Sequence, residues 1–121
     1  MKKTIATLAL ATAMLLAANK AVDDAKALIK EKKYDEAVAV LEPALKAKPT
    51  DAIIKKAMAE ALMGQGDSYM YNDKLPPFRK YPTALRSYRR VLEVDKTNQK
   101  AKDNIAMIEG IYKSMGRPVP Q

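Results

Sequence analysis

The sequence predicts an all-α protein built from two related antiparallel helix hairpins and a final capping helix. Strong helix formers such as Ala, Leu, Lys, Met and Glu are abundant, whereas Gly occurs only 4 times in 121 residues. Apolar residues recur at the three- and four-residue spacing of a helix face. The chain also resembles itself at a shift of 47 residues. A length of 121 residues suits one domain.

The N-terminus has the pattern of a secretory signal peptide over residues 1–18. Lys2 and Lys3 precede an apolar run, Ile5–Ala18, that only two threonines interrupt. This run is 14 residues long, and a helix needs roughly 20 to cross a bilayer. We therefore expect an exported protein, periplasmic or secreted, without a membrane span in its mature form (residues 19–121). The alternative is one long helix, Thr4–Lys32, whose apolar part is buried in the fold.

The internal repeat places similar residues on one helix face in each copy. The aligned pairs are Tyr34 with Tyr81, Ala37 with Ala84, Leu41 with Tyr88, Ala44 with Val91, and Leu45 with Leu92. In the first copy Pro49 follows and closes the unit. This order of an aromatic, a small, a large apolar and a second small residue before a proline resembles the second half of a tetratricopeptide repeat.

The resemblance implies a right-handed α-solenoid fragment whose repeats bind proteins. The first repeat would run from about 18 to 51, with helix A near Lys20–Lys32 and helix B near Asp35–Ala47. The second would run from about 52 to 98, which is 13 residues longer than the family period of about 34. We expect one long helix over Ala52–Asn72, and the alternative is a break at Gly64–Gly66.

The second helix B is expected over Pro82–Asp95, because the prolines before it oppose regular helix. Asn98 should then cap a final helix, Gln99–Ser114, which Gly116 ends before a tail at residues 115–121. The stretch Tyr69–Gln121 resembles a subgroup of exported bacterial tetratricopeptide-repeat proteins. That resemblance implies a helical adaptor without indicating a specific partner.

The composition opposes an enzymatic role. The chain has no His, Cys or Trp, which removes the commonest acid–base group, the thiolate nucleophile and most transition-metal ligands. The acidic pairs Asp23-Asp24 and Asp35-Glu36 are expected at helix starts, where they stabilise the helix dipole. No phosphate-binding or nucleophile motif is present. We therefore predict a protein without enzymatic activity, cofactor or metal site.

The predicted binding site is the concave groove lined by the A helices. Its lysines suit an acidic peptide, and its methionines give a pliable apolar surface. An ordinary solvated helix face is the alternative interpretation. The candidate residues are Val22, Lys26, Ile29, Lys30, Ile53, Lys56, Glu60, Met63, Lys100, Asn104, Met107 and Ile111.

A possible second surface combines the connector before the second helix B with the basic face of that helix. Its residues are Leu75, Phe78, Arg79, Arg86, Arg89 and Arg90. We expect Phe78 to fold back over Tyr69, Met70 or Tyr71 and the arginines to form a solvated convex face. Docking of a partner at the connector and pairing of the arginines with phosphates or carboxylates are the alternatives.

Two functions follow from these features. The first is an exported adaptor or scaffold that binds a protein or peptide in the groove. The second is a self-assembling module that pairs through the exposed ends of a short repeat stack, because fewer than three repeats leave an apolar end uncovered. The net charge of +8, or +6 after loss of Lys2 and Lys3, can favour an acidic partner, an anionic membrane surface or nucleic acid. Nucleic acid is not expected, because exported proteins seldom meet it.

Overall fold

The computed structural model describes the backbone of residues 2–121 and the side chains of residues 9–121. It is all-helical over this range, as predicted. The helices are α1 (Lys2–Lys30), α2 (Tyr34–Ala47), α3 (Ala52–Met70), α4 (Pro77–Val94) and α5 (Gln99–Ser114). Each helix packs on the next one in the chain, as expected for stacked hairpins, and α1 also contacts α3.

Helix α1 is continuous, so it begins well before the predicted start at Lys20. Every side chain from residue 9 to residue 17 is exposed, and Ala18 is the first buried one. The alternative of a long helix is therefore right about continuity and wrong about burial, as far as the described side chains show. Asp23-Asp24 lie in the interior of this helix rather than at its start. Asp24 forms a 3.2 Å salt bridge with Lys20, one turn earlier.

Helix α2 agrees closely with its prediction and contains Pro43 without a break. A proline at this position cannot donate a hydrogen bond to the carbonyl of Ala39. Both Pro43 and Ala39 are exposed, so water can satisfy that carbonyl. Asp35 and Glu36 lie in the first turn of α2, as expected.

Helix α3 runs unbroken from Ala52 to Met70, so the alternative of a break at Gly64–Gly66 is wrong. Asp51 caps its start by accepting hydrogen bonds from the backbone N–H groups of Ile53 and Ile54 at 2.9 and 3.0 Å. The cap and the buried face of the helix offset the weak helix propensity of glycine.

Helix α4 begins at Pro77, five residues before the predicted start at Pro82. Pro77 occupies the first helical position, where a missing N–H has no consequence, and the N–H groups of Arg79 and Lys80 bond to the carbonyl of Pro76. Pro82 then removes only the bond to the carbonyl of Phe78. The prediction was wrong because one proline near the start of a helix interrupts a single hydrogen bond.

Helix α5 has the predicted bounds, and Asn98 caps it by accepting from the N–H of Ala101 at 2.9 Å. Gly116, at φ 67°, ends it in the left-handed conformation that favours glycine. The tail then turns back onto α4, where the Arg89 guanidinium donates to the carbonyl of Pro120 at 2.9 Å.

The paired positions of the internal repeat have matching burial. Ala37 and Ala84, Leu41 and Tyr88, and Ala44 and Val91 are all buried, while the outer pairs Tyr34 with Tyr81 and Leu45 with Leu92 are half-buried. The core consists of two clusters. One lies between α1, α2 and α3 and reaches Val91 and Ala101, and the other joins the ends of α3, α4 and α5 around Met70, Leu85, Tyr88, Ile108 and Tyr112.

Candidate functional site

A large cleft lies across α3, between the end of α1 and the turn that joins α4 to α5. Its volume is about 760 Å³. Apolar side chains and backbone form most of the lining, and the charged groups sit on α3 and in the turn. The lining residues are Ile29, Tyr34, Ala52, Lys55, Lys56, Ala59, Glu60, Met63, Gly64, Val94, Asp95 and Asn98.

This cleft contains only part of the predicted groove. Ile29, Lys56, Glu60 and Met63 line it. Five predicted residues are exposed but lie outside the lining, namely Lys26, Lys30, Ile53, Lys100 and Met107, and Ile111 is half-buried outside it.

The prediction that Val22 and Asn104 line the groove is wrong, because both are buried. Val22 is 5% exposed and belongs to the core, and Asn104 is also 5% exposed. Val22 lies on the face of α1 that packs in the core beside Ala18 and Ala25. Asn104 faces the buried junction of α3, α4 and α5. The prediction failed at both positions because the groove-facing side of each helix was assigned from the family pattern. The apolar, core-facing side of these helices is not the one that this pattern implies.

The remaining cleft residues had little sequence signal. Tyr34 was recognised as a repeat position, but its place in the cleft depends on Gly64, whose missing side chain leaves room for the Tyr34 ring. Val94, Asp95 and Asn98 come from a turn, and only the packing of α4 against α3 brings that turn to the cleft.

The cleft lining is balanced in charge. Lys55 and Lys56 stand against Glu60 and Asp95, and neither lysine has a salt bridge within the described part of the chain. Further lysines stand beside lining residues in sequence: Lys30 follows Ile29, and Lys100 lies two residues after Asn98. The excess of positive charge is therefore at the margin of the cleft rather than in its lining.

A partly buried hydrogen bond joins α3 to α4. The Tyr88 hydroxyl donates to Asp67 Oδ1 at 2.6 Å, and Lys100 Nζ lies 3.9 Å from Asp67 Oδ2. Burial raises the pKa of the Tyr88 hydroxyl, and the hydrogen bond to the Asp67 carboxylate raises that pKa further. Asn104 Nδ2 is buried nearby and has no hydrogen-bond partner among the described residues. Tyr88 stays protonated and holds three helices together, which is a structural role.

The basic face of α4 is largely occupied by contacts within the chain. Arg90 forms a salt bridge with Glu42 of α2, and Arg89 bonds to the carbonyl of Pro120 in the tail. Of Arg86, Arg89 and Arg90, only Arg86 is exposed without such a contact among the described residues. The predicted cluster therefore does not present three free guanidinium groups.

The connector between α3 and α4 differs from the expectation that Phe78 folds back over α3. Phe78 is 72% exposed and Tyr71 is 61% exposed. Leu75 is half-buried and Arg79 is exposed. The early start of α4 explains the difference, because it places Phe78 in the first helical turn, on the side away from the core.

A smaller apolar cleft of about 190 Å³ lies between α1 and α2 at the N-terminal end of the stack. Met14 and Ala17, from the exposed part of α1, form one side of it. Residues from Ala18 onward form the rest, including Ala21, Val40 and Pro43. Pro43 thus belongs to the open end of the stack.

The described residues contain no group of three or more acidic side chains arranged to hold a metal ion. None of the helices in the described range is long and apolar enough to cross a membrane.

Comparison with known proteins gives one family match. A family model of the tetratricopeptide repeat matches residues 28–68, about a third of the chain. The matched span covers the end of α1, all of α2 and most of α3. Neither a curated protein nor a solved structure gives a significant match. The resemblance of Tyr69–Gln121 to an exported subgroup stays a prediction.

Proposed function

We propose that this chain is a non-enzymatic adaptor that binds a peptide segment of another protein, because residues 28–68 match a family model of the tetratricopeptide repeat and such repeats generally mediate protein–protein interaction. The cleft across α3 is the proposed binding site. It is a large concave surface, and the matched span supplies most of its lining.

The lining of the cleft supports a peptide with apolar side chains. Ile29, Met63 and Val94 offer apolar contact, and methionine adapts its shape to different partners. A volume of about 760 Å³ accommodates a few side chains of an extended or helical segment.

Acidic residues in the peptide would find cations at the cleft and at its margin. Lys55 and Lys56 lack salt bridges within the described residues, and Lys26 and Lys30 are exposed. Lys100 is exposed as well, but its Nζ lies 3.9 Å from Asp67 Oδ2. The acids Glu60 and Asp95 limit this preference, so the proposed ligand combines apolar anchors with flanking acidic residues rather than a run of acids.

A peptide-display selection on the full chain tests this proposal. Selected peptides should combine apolar and acidic residues, and the double substitution Lys55→Glu/Lys56→Glu should weaken their binding at least about tenfold, since each reversed charge replaces an attraction by a repulsion. Fluorescence anisotropy of a labelled peptide measures the affinity.

The matched control is Lys46→Glu/Lys113→Glu, which makes the same change in net charge at two exposed positions outside the cleft. This control should bind within about twofold of the unmodified chain. Equal loss in both variants, or no loss in either, would mean that the cleft is not the binding site.

We propose further that residues 1–18 direct export. The apolar side chains Leu10, Met14, Leu15 and Leu16 are exposed, and burial begins at Ala18. The described side chains before Ala18 therefore contribute little to the core, and their removal would cost little packing. Mass spectrometry of the chain recovered from the envelope of an expressing bacterium tests this proposal, which would fail if the recovered protein retained its first residues.

Self-assembly through the N-terminal end is the second candidate. It is favoured by the smaller cleft, because loss of Met14 and Ala17 would leave Ala21, Val40 and Pro43 uncovered at the end of the stack. Light scattering on the cleaved chain decides the matter. A dimer that Val40→Glu dissociates would support assembly through this end, whereas a monomer at micromolar concentration would exclude it as the main role.

A further inference from the structure

One end of the helix stack carries exposed apolar and basic side chains together. Met70, Tyr81 and Tyr112 lie in one core cluster, so the end of α3, the start of α4 and the end of α5 are close in space. Exposed large apolar residues stand next to each of these points. They are Tyr71 after Met70, Phe78 three residues before Tyr81, and Met115 three residues after Tyr112.

We call this set, Tyr71, Phe78 and Met115 with the basic residues around them, the aromatic end. The exposed basic residues are Lys74, Arg79, Lys113 and Arg117. None of the four forms a salt bridge within the described part of the chain. Asp73 is the exposed acid of the same connector, so the positive charge of this end is in clear excess.

The backbone of the aromatic end is held in place. The N–H of Lys74 donates to Asn72 Oδ1 at 3.0 Å, and the N–H of Leu75 donates to the carbonyl of Asn72 at 3.1 Å. The N–H of Arg117 donates to the carbonyl of Tyr112 at 3.0 Å. The aromatic side chains therefore project from ordered turns, and little conformational entropy is lost when they bind.

We propose that the aromatic end docks on an anionic lipid surface, with Phe78 and Tyr71 at the level of the headgroups. Aromatic side chains favour the membrane–water interface, and nearby Lys and Arg are attracted to anionic lipids. Because these residues project from the ends of helices and none of the three lines the main cleft, they suit a broad surface better than a peptide.

The apolar part of α1 is a separate feature. Gln65 Nε2 donates to Asp35 Oδ1 at 2.8 Å, so the start of α2 lies alongside the second half of α3. The C-terminal end of α1, at Lys30, lies near the start of α2 and therefore near the second half of α3. Leu16 lies fourteen residues before Lys30, or about 21 Å along the helix. Insertion of the α1 segment would therefore not bring Phe78 into a membrane as well.

The absence of Trp from the chain makes a site-specific test possible. Phe78→Trp, Met14→Trp and Ile53→Trp each place one fluorophore, respectively at the aromatic end, on the apolar part of α1 and at the exposed start of α3. Each variant is mixed as the full chain with vesicles of phosphatidylcholine alone or of phosphatidylcholine and phosphatidylglycerol in equal parts.

Trp at position 78 should shift its emission to shorter wavelength with the anionic vesicles and not with the neutral ones, and brominated lipids should quench it. Trp at position 53 should do neither. An unchanged emission at position 78 would overturn the proposal, whether or not position 14 responds. It would also be the result if this end bound a protein instead of a lipid surface.

Charge reversal gives the second arm. In the Phe78→Trp chain, Lys74→Glu/Arg79→Glu should lower partition into anionic vesicles at least about tenfold, since each basic residue contributes separately to the attraction. The control Lys46→Glu/Lys96→Glu makes the same charge change near the C-terminal end of α2 and in the turn after α4, and it should lower the partition much less. An equal loss in both would show only a dependence on net charge and would overturn the assignment to this end.

Discussion

Gly66 of α3 lies against the aromatic ring of Tyr88 of α4, so closely that a Cβ atom at position 66 would stand 2.5 Å from Cε1 of the ring. Tyr88 is fully buried, and its hydroxyl bonds to Asp67, the residue that follows Gly66. The glycine that weakens α3 as an isolated helix therefore permits the packing that joins α3 to α4.

We expect Gly66→Ala to lower the free energy of unfolding by about 1–3 kcal/mol. The added methyl group would overlap the ring of Tyr88, which is fully buried. The gain in helix propensity from alanine, up to about 1 kcal/mol, is too small to reverse this effect. Urea denaturation followed by circular dichroism measures the change.

The matched control is Gly110→Ala in α5, where an added Cβ would meet no atom within 4 Å. This variant should gain about 0.5–1 kcal/mol from helix propensity alone. If both substitutions stabilised the chain, the close approach of Gly66 and Tyr88 would not exist in solution.

Gly64→Ala should change binding more than stability. An alanine Cβ at this position would overlap the ring of Tyr34, but that ring is half-buried at the rim of the cleft and can rotate away. We expect a loss of less than about 1 kcal/mol in stability and a severalfold weaker affinity for a selected peptide. Peptide titration and denaturation of the same sample measure the two effects.

Tyr34 tests the cause of that effect. If the displaced ring is responsible, Gly64→Ala should have little further effect on peptide affinity in a Tyr34→Ala background. A full additional loss in the double variant would contradict this explanation.

The helices that the sequence predicts best are those bounded by local signals. Helix α5 begins at the capping Asn98 and ends before Gly116, and both residues act on the backbone beside them. The bounds of α2 and α3 were also predicted to within two residues. The start of α4 was missed because Pro82 interrupts one hydrogen bond of a helix that begins with Pro77 and packs along α3.

The candidate site was less predictable, because its residues meet only through tertiary packing. Lys56, Glu60 and Met63 share one face of α3 at helical spacing, and the sequence predicted them. Asp95 reaches the cleft from a turn outside the A helices. The exposure of Phe78 depends on where α4 begins. Because the start of α4 was predicted too late, Phe78 was wrongly expected to fold back over α3.

The stability of the chain should fall at alkaline pH through Tyr88. Its pKa in the folded chain is raised above the ordinary value of 10.0 by burial and by the bond to Asp67. Above pH 10 the unfolded chain releases this proton while the folded chain retains it. Unfolding therefore becomes more favourable by about 1.4 kcal/mol per pH unit from this group.

Tyr88→Phe should lose this contribution to the alkaline slope, and the rest of the slope should be unchanged. Denaturation of both chains at several pH values between 8 and 11, about the range over which tyrosine begins to ionise, gives the comparison. Parallel curves for the two chains would show that Tyr88 titrates normally in the folded state.

Gln65 should couple the two hairpins through its side-chain amide. Its Nε2 donates to Asp35 of α2 at 2.8 Å, and its Oε1 accepts from the Ser87 hydroxyl of α4 at 2.9 Å. We expect Gln65→Ala to lower the free energy of unfolding by about 1–2 kcal/mol, since each hydrogen bond contributes about 0.5–1.5 kcal/mol. Chemical denaturation measures this change.

A double-mutant cycle separates the bridge from general effects on α3. Ser87 also bonds to the carbonyl of Thr83 at 3.2 Å, so removal of Gln65 does not leave its hydroxyl without a partner. The effects of Gln65→Ala and Ser87→Ala should therefore be non-additive by at least about 0.5 kcal/mol. Additive effects would mean that Gln65 does not bond to Ser87 in solution.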